Sequence, residues 1–289
     1  LHAVVEMADE KMPREHAAMP ERLRSNDPSL RDDPLIAQGD ASVLRPVTAG
    51  SRPTTQKGTR QQAKKEVASG DVVIDVIVAY TKTAARHYAD MRRELIELSI
   101  EEGNESFRVS GISNVKLRLV HAYETNYVEE GAHFDHVWRF ADKGDGYMEE
   151  IHALRDRHKA DVAILIVDDA KGCGLATRVH ADADEAFAVV HHECAASTYS
   201  LAHEIGHIIG ARHELAIDKV MTPFAYGHGY VNGTKWRDIM SYKDSCGGCP
   251  RIPVWSSPKV LIKGEPAGTL ELDNARVIVE HAARVASFR

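Results

Sequence analysis

The sequence predicts an α/β (α+β) fold, a mixed twisted sheet carrying one functional helix and followed by a smaller, irregular C-terminal part. Three observations predict it. From Asp71 onward, strand-like apolar runs alternate with helical periodicities, and strand, helix, strand, helix, strand builds a partly parallel layer with right-handed crossovers. The stretch from His203 to His213 spaces histidines for a helix and then supplies a glycine to end it. Beyond that stretch the regular rhythm is lost.

The 289 residues suffice for one large domain or two small ones. Residues 1–70 differ in kind from the rest: they hold six of the eleven prolines and no Phe, Trp, Tyr or Cys. Such a segment buries too little apolar surface to offset chain entropy. It reads as an N-terminal extension or pro-segment with linker from Thr48 to Gly58 and a short exposed helix from Gln61 to Ala68. A pro-segment would block a metal with a cysteine or a carboxylate, and here only Asp40 or Asp71 is available. Glu6, Asp9 and Glu10 stand where a signal peptide would be basic and then apolar, so no intact signal peptide is expected, and a start at Leu1 is compatible with processing. The formal charge of -7 is moderate and unclustered, so no nucleic-acid partner is expected. No apolar run reaches the eighteen residues of a membrane span.

In chain order, Val72 to Ala79 is β-branched and reads as a buried strand despite Asp75 in its middle. Thr81 or Thr83 caps a long helix running to about Glu102, with Ala84, Tyr88, Met91, Leu95 and Leu98 on one face. Val115, Leu117 and Leu119 alternate with polar residues as a second strand. A polar region with loop character follows, punctuated by Gly144-Asp145-Gly146. Met148, Ile151 and Leu154 mark a shorter helix, and Val162 to Val167 is continuously apolar and central. Phe187 to Val190 makes a short strand; at a sheet edge its backbone could pair with an extended peptide, and the alternative is an ordinary buried strand with no ligand role. Thr198 or Ser200 caps the next helix.

That helix carries His203-Glu204-Ile205-Gly206-His207. Residues four apart share a helix face, so two imidazoles converge about a turn apart, as a zinc ion requires. Glu204 stands beside them, placed to deprotonate a metal-bound water instead of binding the metal. Gly210 can take φ > 0, ending the helix so that His213 approaches from another direction. Three neutral nitrogens leave one position open, which marks a catalytic zinc and not a closed structural one. Ser197 and Ser200 are not needed as nucleophiles.

After His213, Ala225 to Tyr230 is glycine-punctuated and reads as a loop or short hairpin, and His228 has no independent support as a fourth ligand. Four cysteines, Cys173, Cys194, Cys246 and Cys249, allow three connectivities. Cys173–Cys194 with Cys246–Cys249 is preferred over reduced thiols or a second tetrahedral zinc site, and it favours an oxidising compartment. Asn274 to Phe288 finishes as a helix with Ala275, Ile278, Ala282 and Val285 on one face.

Several separated blocks resemble a known family. They are His203 to Glu214, Tyr226-Gly227-His228-Gly229-Tyr230, Asp238-Ile239-Met240-Ser241-Tyr242 and Cys249 to Ser256. Upstream, Asp75 to Thr81, Leu119-Val120-His121 and Gly172-Cys173-Gly174 agree with them. Together they resemble the metzincin zinc peptidases, and among these the peptidyl-Asp metalloendopeptidases. The resemblance implies a metzincin-like fold with a horizontal substrate cleft between an upper subdomain of about residues 71–210 and a lower one of about 211–289. It implies one catalytic zinc on His203, His207 and His213, with Glu204 as general base and proton shuttle. Met240 would lie beneath the metal in a methionine turn, and Tyr242 would assist as an extra ligand or oxyanion donor. Calcium is left unassigned. The partner implied is a protein or peptide bound extended in the cleft, the oligomeric state a monomer, and the location secreted or periplasmic in a bacterium. Relatives of this kind cut on the amino side of aspartate, which requires a basic pocket residue that no Arg or Lys in the sequence can be assigned to. The alternatives are a narrow-target secreted or injected protease and a non-catalytic zinc-containing protein that captures peptides.

Overall fold

The structure, a computed structural model, describes residues 70–131, 133–169 and 171–289. The expectations for an N-terminal extension, its linker, its short helix and Asp40 lie outside those residues. Asp71 does lie within them: it is exposed at the start of the first strand and pairs with Lys116 Nζ at 2.9 Å.

A five-stranded sheet organises the described chain, in the order β2-β1-β3-β5-β4. These are β1 (Val72–Tyr80), β2 (Val115–Glu124), β3 (Val162–Val167), β4 (Gly174–Ala176) and β5 (Phe187–His191). The first three neighbours pair in parallel and β4 alone runs antiparallel, against β5. Alternation of side chains decides the layers. Ile74, Val76, Val78, Ile164 and Ile166 join one core, which takes in α2 (Glu97–Val109), α5 (Ser200–Ile209) and α6 (Asn274–Val285). Ile77, Ala79, Ala163, Leu165 and Val167 join the other, which takes in α3 (His133–Ala141) and α4 (Glu150–His158). Helices on both faces explain why β1, β3 and β5 are apolar runs. Asp75 is tolerated in β1 because Arg118, its register partner on β2, donates to both its carboxylate oxygens at 2.6 and 2.7 Å.

Three expectations differ from the structure. The long helix expected from Thr81 or Thr83 to Glu102 is interrupted. Thr81 caps only α1 (Lys82–Ala85), and the chain resumes as a π-helical turn at Arg92–Ile96 before α2. The restart is local chemistry: Asp90 Oδ1 accepts the Arg93 N–H at 3.1 Å and Glu94 accepts the Ala89 N–H at 3.0 Å, as a fresh helix cap does. The stretch given loop character contains α3, whose buried Val137 and Phe140 pack in the second core. Of the two readings of Phe187 to Val190, the edge position is not the one found: β5 is the interior, buried strand, and β4 covers it and forms the edge.

Past α5 the elements shorten, as the loss of periodicity predicts. Two ribbons, β6 (Val231–Asn232) with β7 (Trp236–Arg237) and β8 (Ser257–Ile262) with β9 (Glu265–Ala267), precede α6. Both disulfides form with the preferred pairing, Cys173–Cys194 and Cys246–Cys249.

Candidate active site

All ten residues of α5 are buried. Neither Ser200 nor Thr198 caps it through a side chain to the helix backbone. Ser200 is the first helical residue, and Tyr199 holds the cap position with φ 60° and no side-chain hydrogen bond. The first amides are satisfied from the preceding turn, Ser200 N–H by Cys194 O and Leu201 N–H by Ala195 O, both at 3.2 Å. At the other end the helix stops at Gly210, φ 134°, where a Cβ would meet Phe224 at 2.7 Å. The expected glycine turn is therefore present, for reasons of both backbone angle and space.

The turn brings three imidazoles together. His213 Nε2 lies 3.1 Å from His203 Nε2 and 3.0 Å from His207 Nε2, with all three side chains buried. Carbonyls can only accept, so His203 Nδ1–H donates to Ile239 O at 2.9 Å and His207 Nδ1–H to Ala211 O at 2.8 Å. Both Nε2 atoms are thereby fixed as lone-pair donors facing a shared centre. Burial pushes His207 down to about 4, and His203 and His213 well below the usual imidazole range, so the rings are neutral. Ligands on a tetrahedral zinc with bonds of about 2.0–2.1 Å stand roughly 3.3 Å apart, within a few tenths of these separations. The donor set fits a metal ion.

Glu204 occupies the flank of this nest. One carboxylate oxygen accepts the Ala176 N–H of β4, and Oε2 is buried with no hydrogen-bond partner among the described residues. Burial raises the carboxyl to about 8, opposed by the Ala176 amide and the charge of Arg251. Space for it exists only because residue 174 lacks a side chain: a Cβ there would meet Glu204 Oε1 at 2.4 Å. Gly174 is the first residue of the edge strand.

Below α5, Met240 is fully buried, and its Sδ lies 3.4 Å from where a Cβ on Gly206 would be. Trp255 closes on Gly206 from the same side and donates its indole N–H to Ser106 Oγ at 2.9 Å. Tyr242 places its ring 4.5 Å from the His213 ring. Its backbone N–H points to the Glu214 carboxylate, which also accepts from Ser245 Oγ. Glu214 thus ties the segment after His213 to the segment after Met240. A small cavity opens at this point, lined by Cys173, Gly174, Ser200, His203, Glu204, Tyr242 and Arg251.

Residues 71–256 match the model of Metallo-peptidase family M12. The chain belongs to that family. It is 35% identical over 290 residues to a peptidyl-Asp metalloendopeptidase of Xanthomonas campestris pv. campestris, covering all of this chain and 62% of that one. It is 33% identical over 179 residues to a peptidyl-Asp metalloendopeptidase of Pseudomonas fragi, covering 61% of this chain and 94% of that one. The chain thus spans about 62% of the length of the Xanthomonas relative. A solved structure of a chaperone–substrate complex shares the fold over 76% of this chain and 35% of its own, with a TM-score of 0.60 at 18% identity.

Two further histidine groups in this M12 chain have other work. His228 is buried, but it does not join the three converging rings; its Nδ1 lies 2.8 Å from His213 O and supports the backbone of that residue. His87 and His192 flank Asp168 at 3.3 and 3.0 Å. Their rings stack with centroids 4.3 Å apart and planes within 16°, so one ion cannot lie in both ring planes. They read as a hydrogen-bonded cluster. No helix among the described residues is long and apolar enough to cross a membrane.

Proposed function

We propose that this M12 chain is a zinc-dependent endopeptidase that hydrolyses internal peptide bonds on the amino side of aspartate. The observation that carries it is the meeting of three neutral imidazole nitrogens beside a buried carboxylate that the edge strand holds. The aspartate preference comes from the named relatives.

His203, His207 and His213 would hold one zinc, whose Lewis acidity polarises the scissile carbonyl and makes water nucleophilic near neutral pH. Glu204 takes the proton from the attacking water and passes it to the departing amine as the C–N bond breaks. Tyr242 donates its phenol to the carbonyl oxygen as negative charge develops there. Met240 supports the ligand helix from below. The substrate lies extended along β4, in a cleft whose upper wall comes from residues 71–210 and lower wall from 211–289, in a metzincin-like arrangement. Two disulfides suit a secreted or periplasmic monomer, with residues 1–70 as a pro-segment.

Digestion of an unbiased peptide library, with products mapped by mass spectrometry, tests this. Cleavage is expected to vanish with a chelator and to return with zinc. Glu204→Ala is expected to lower it by at least about a thousandfold, within the range for lost acid–base catalysis, while the zinc content holds. Zinc-bound wild type that binds peptides and cuts none would support the capture role instead.

A further inference from the structure

A second cavity shares no residue with the one beside the histidines. It encloses about 700 Å³ outside the carboxyl end of β2, between the segment leaving that strand and the first turn of α4. Crevices at strand carboxyl ends are where open α/β sheets take ligands. Its wall is of two kinds. Tyr123, Tyr127 and Tyr147 supply rings, Glu124, Glu130 and Glu150 supply carboxylates, and no Lys, Arg or His stands among the described residues that line it. Burial raises the Tyr123 and Tyr127 phenols, so both are neutral rings. Glu150 is the first residue of α4, where the helix favours negative charge, and its Oε1 accepts Thr125 Oγ1 at 3.3 Å.

One cation touches this wall from outside the lining. Arg139 lies over the Tyr147 ring at 4.5 Å and donates to Tyr127 Oη at 3.1 Å and to Glu130 O. Three carboxylates against one guanidinium still leave an excess of negative charge. Aromatic faces beside carboxylates suit a guanidinium or ammonium carried on an apolar stem.

The cavity segment is also fastened to the loop that leads into the edge strand. Tyr127 Oη lies 2.7 Å from His136 Nδ1, and His136 Nε2 lies 3.0 Å from Asp169 Oδ2. Both oxygens of Glu129 accept the Asp168 N–H, at 3.0 and 2.9 Å. From Asp168 and Asp169 the chain passes directly to Cys173 and β4.

We propose that this cavity is an exosite for the substrate, taking an arginine or lysine side chain from a basic stretch of the same polypeptide that is cut at the histidines. The continuity with β4 and the charge of the wall select that occupant. This inference rests on the endopeptidase reading above, and its test separates the two.

The test uses the full-length zinc-loaded protein and peptides that share one cleavable core and differ only in a short arginine or serine tail. The tail precedes the cut in one pair and follows it in the other. In one of the pairs the arginine tail is expected to lower KM about tenfold with kcat unchanged, the effect of a few screened charge pairs and a cation–π contact. Glu124→Gln/Glu130→Gln/Glu150→Gln is expected to reduce that advantage to below about twofold, while serine-tailed peptides are cut as by wild type. Glu101→Gln/Glu265→Gln/Glu271→Gln removes the same charge from exposed carboxylates elsewhere and is expected to keep the advantage. If the cavity triple loses thermal stability, Glu124→Gln/Glu130→Gln, at two exposed positions, decides the matter by leaving about threefold. Calorimetry of an oligo-arginine peptide with Glu204→Ala protein reads the cavity without turnover: binding is expected, weakened by salt and lost in the cavity triple. Equal KM for arginine and serine tails, or an advantage that both triples lose alike, overturns the exosite and leaves the endopeptidase reading intact. A wild type that cuts no peptide yet binds oligo-arginine through the three glutamates overturns the endopeptidase reading and keeps the cation site.

Discussion

Gly174 illustrates how one missing side chain can shape a reaction. Glu204 lies where a Cβ on residue 174 would be, 2.4 Å from the built position, and Ala176 two residues on holds the same carboxylate by its N–H. Gly174→Ala is therefore expected to displace Glu204 and lower kcat by tenfold or more, about one factor in the acid–base contribution. Zinc content should remain near one per chain, because the three histidines do not touch that position. Metal analysis beside a rate measurement checks both halves, and an unchanged kcat refutes the steric argument. Residues of this kind explain what the sequence could and could not reveal about the site. The histidines were legible because their offsets alone place them on one helix face and round one turn. Gly174 acts through a contact made across the fold, and no local spacing announces that.

At the scale of elements, the same distinction holds. The strands β1 and β3 were readable as apolar runs because both faces of the sheet are covered. The edge was not, because β4 has three residues and depends wholly on β5 for its register. The break between α1 and α2 escaped because Asp90 and Glu94 compete for backbone N–H groups while the apolar period continues past them. β4 begins next to Cys173, which is bonded to Cys194 in the turn before α5. Chain-entropy estimates give about 3 kcal/mol for a loop of that size and about 2 kcal/mol for the short Cys246–Cys249 loop. Urea unfolding of the Cys173→Ala/Cys194→Ala and Cys246→Ala/Cys249→Ala proteins should show the first pair losing more stability. The reverse order would mean that the tether matters through strain or packing. Activity loss should also be steeper for the first pair, since only it holds the edge strand against the reaction centre.

Stability of the whole molecule depends on a carboxyl far from water. Asp238 is fully buried, accepts Ser241 Oγ at 2.6 Å and Ser256 N–H at 3.2 Å, and is pushed up by burial to about 7. Between about pH 4 and 7 the folded protein keeps this proton and the unfolded chain has lost it. The unfolded state then binds fewer protons, so this group's contribution to stability falls as pH rises through that window and levels off above it. Asp238→Asn removes the titration. In metal-free protein the stability advantage of wild type over the variant is expected to shrink from pH 4.5 to pH 7.5, read from urea midpoints. A constant difference would show that Asp238 is ionised throughout. The Cys173–Cys194 bond has a different bearing on the molecule's life. A chain newly made among thiol reductants lacks the clamp between the edge strand β4 and the turn before α5, and acquires it on reaching an oxidant. Under the proposed function, a secreted chain would then gain its active form only outside the reducing compartment in which it is made.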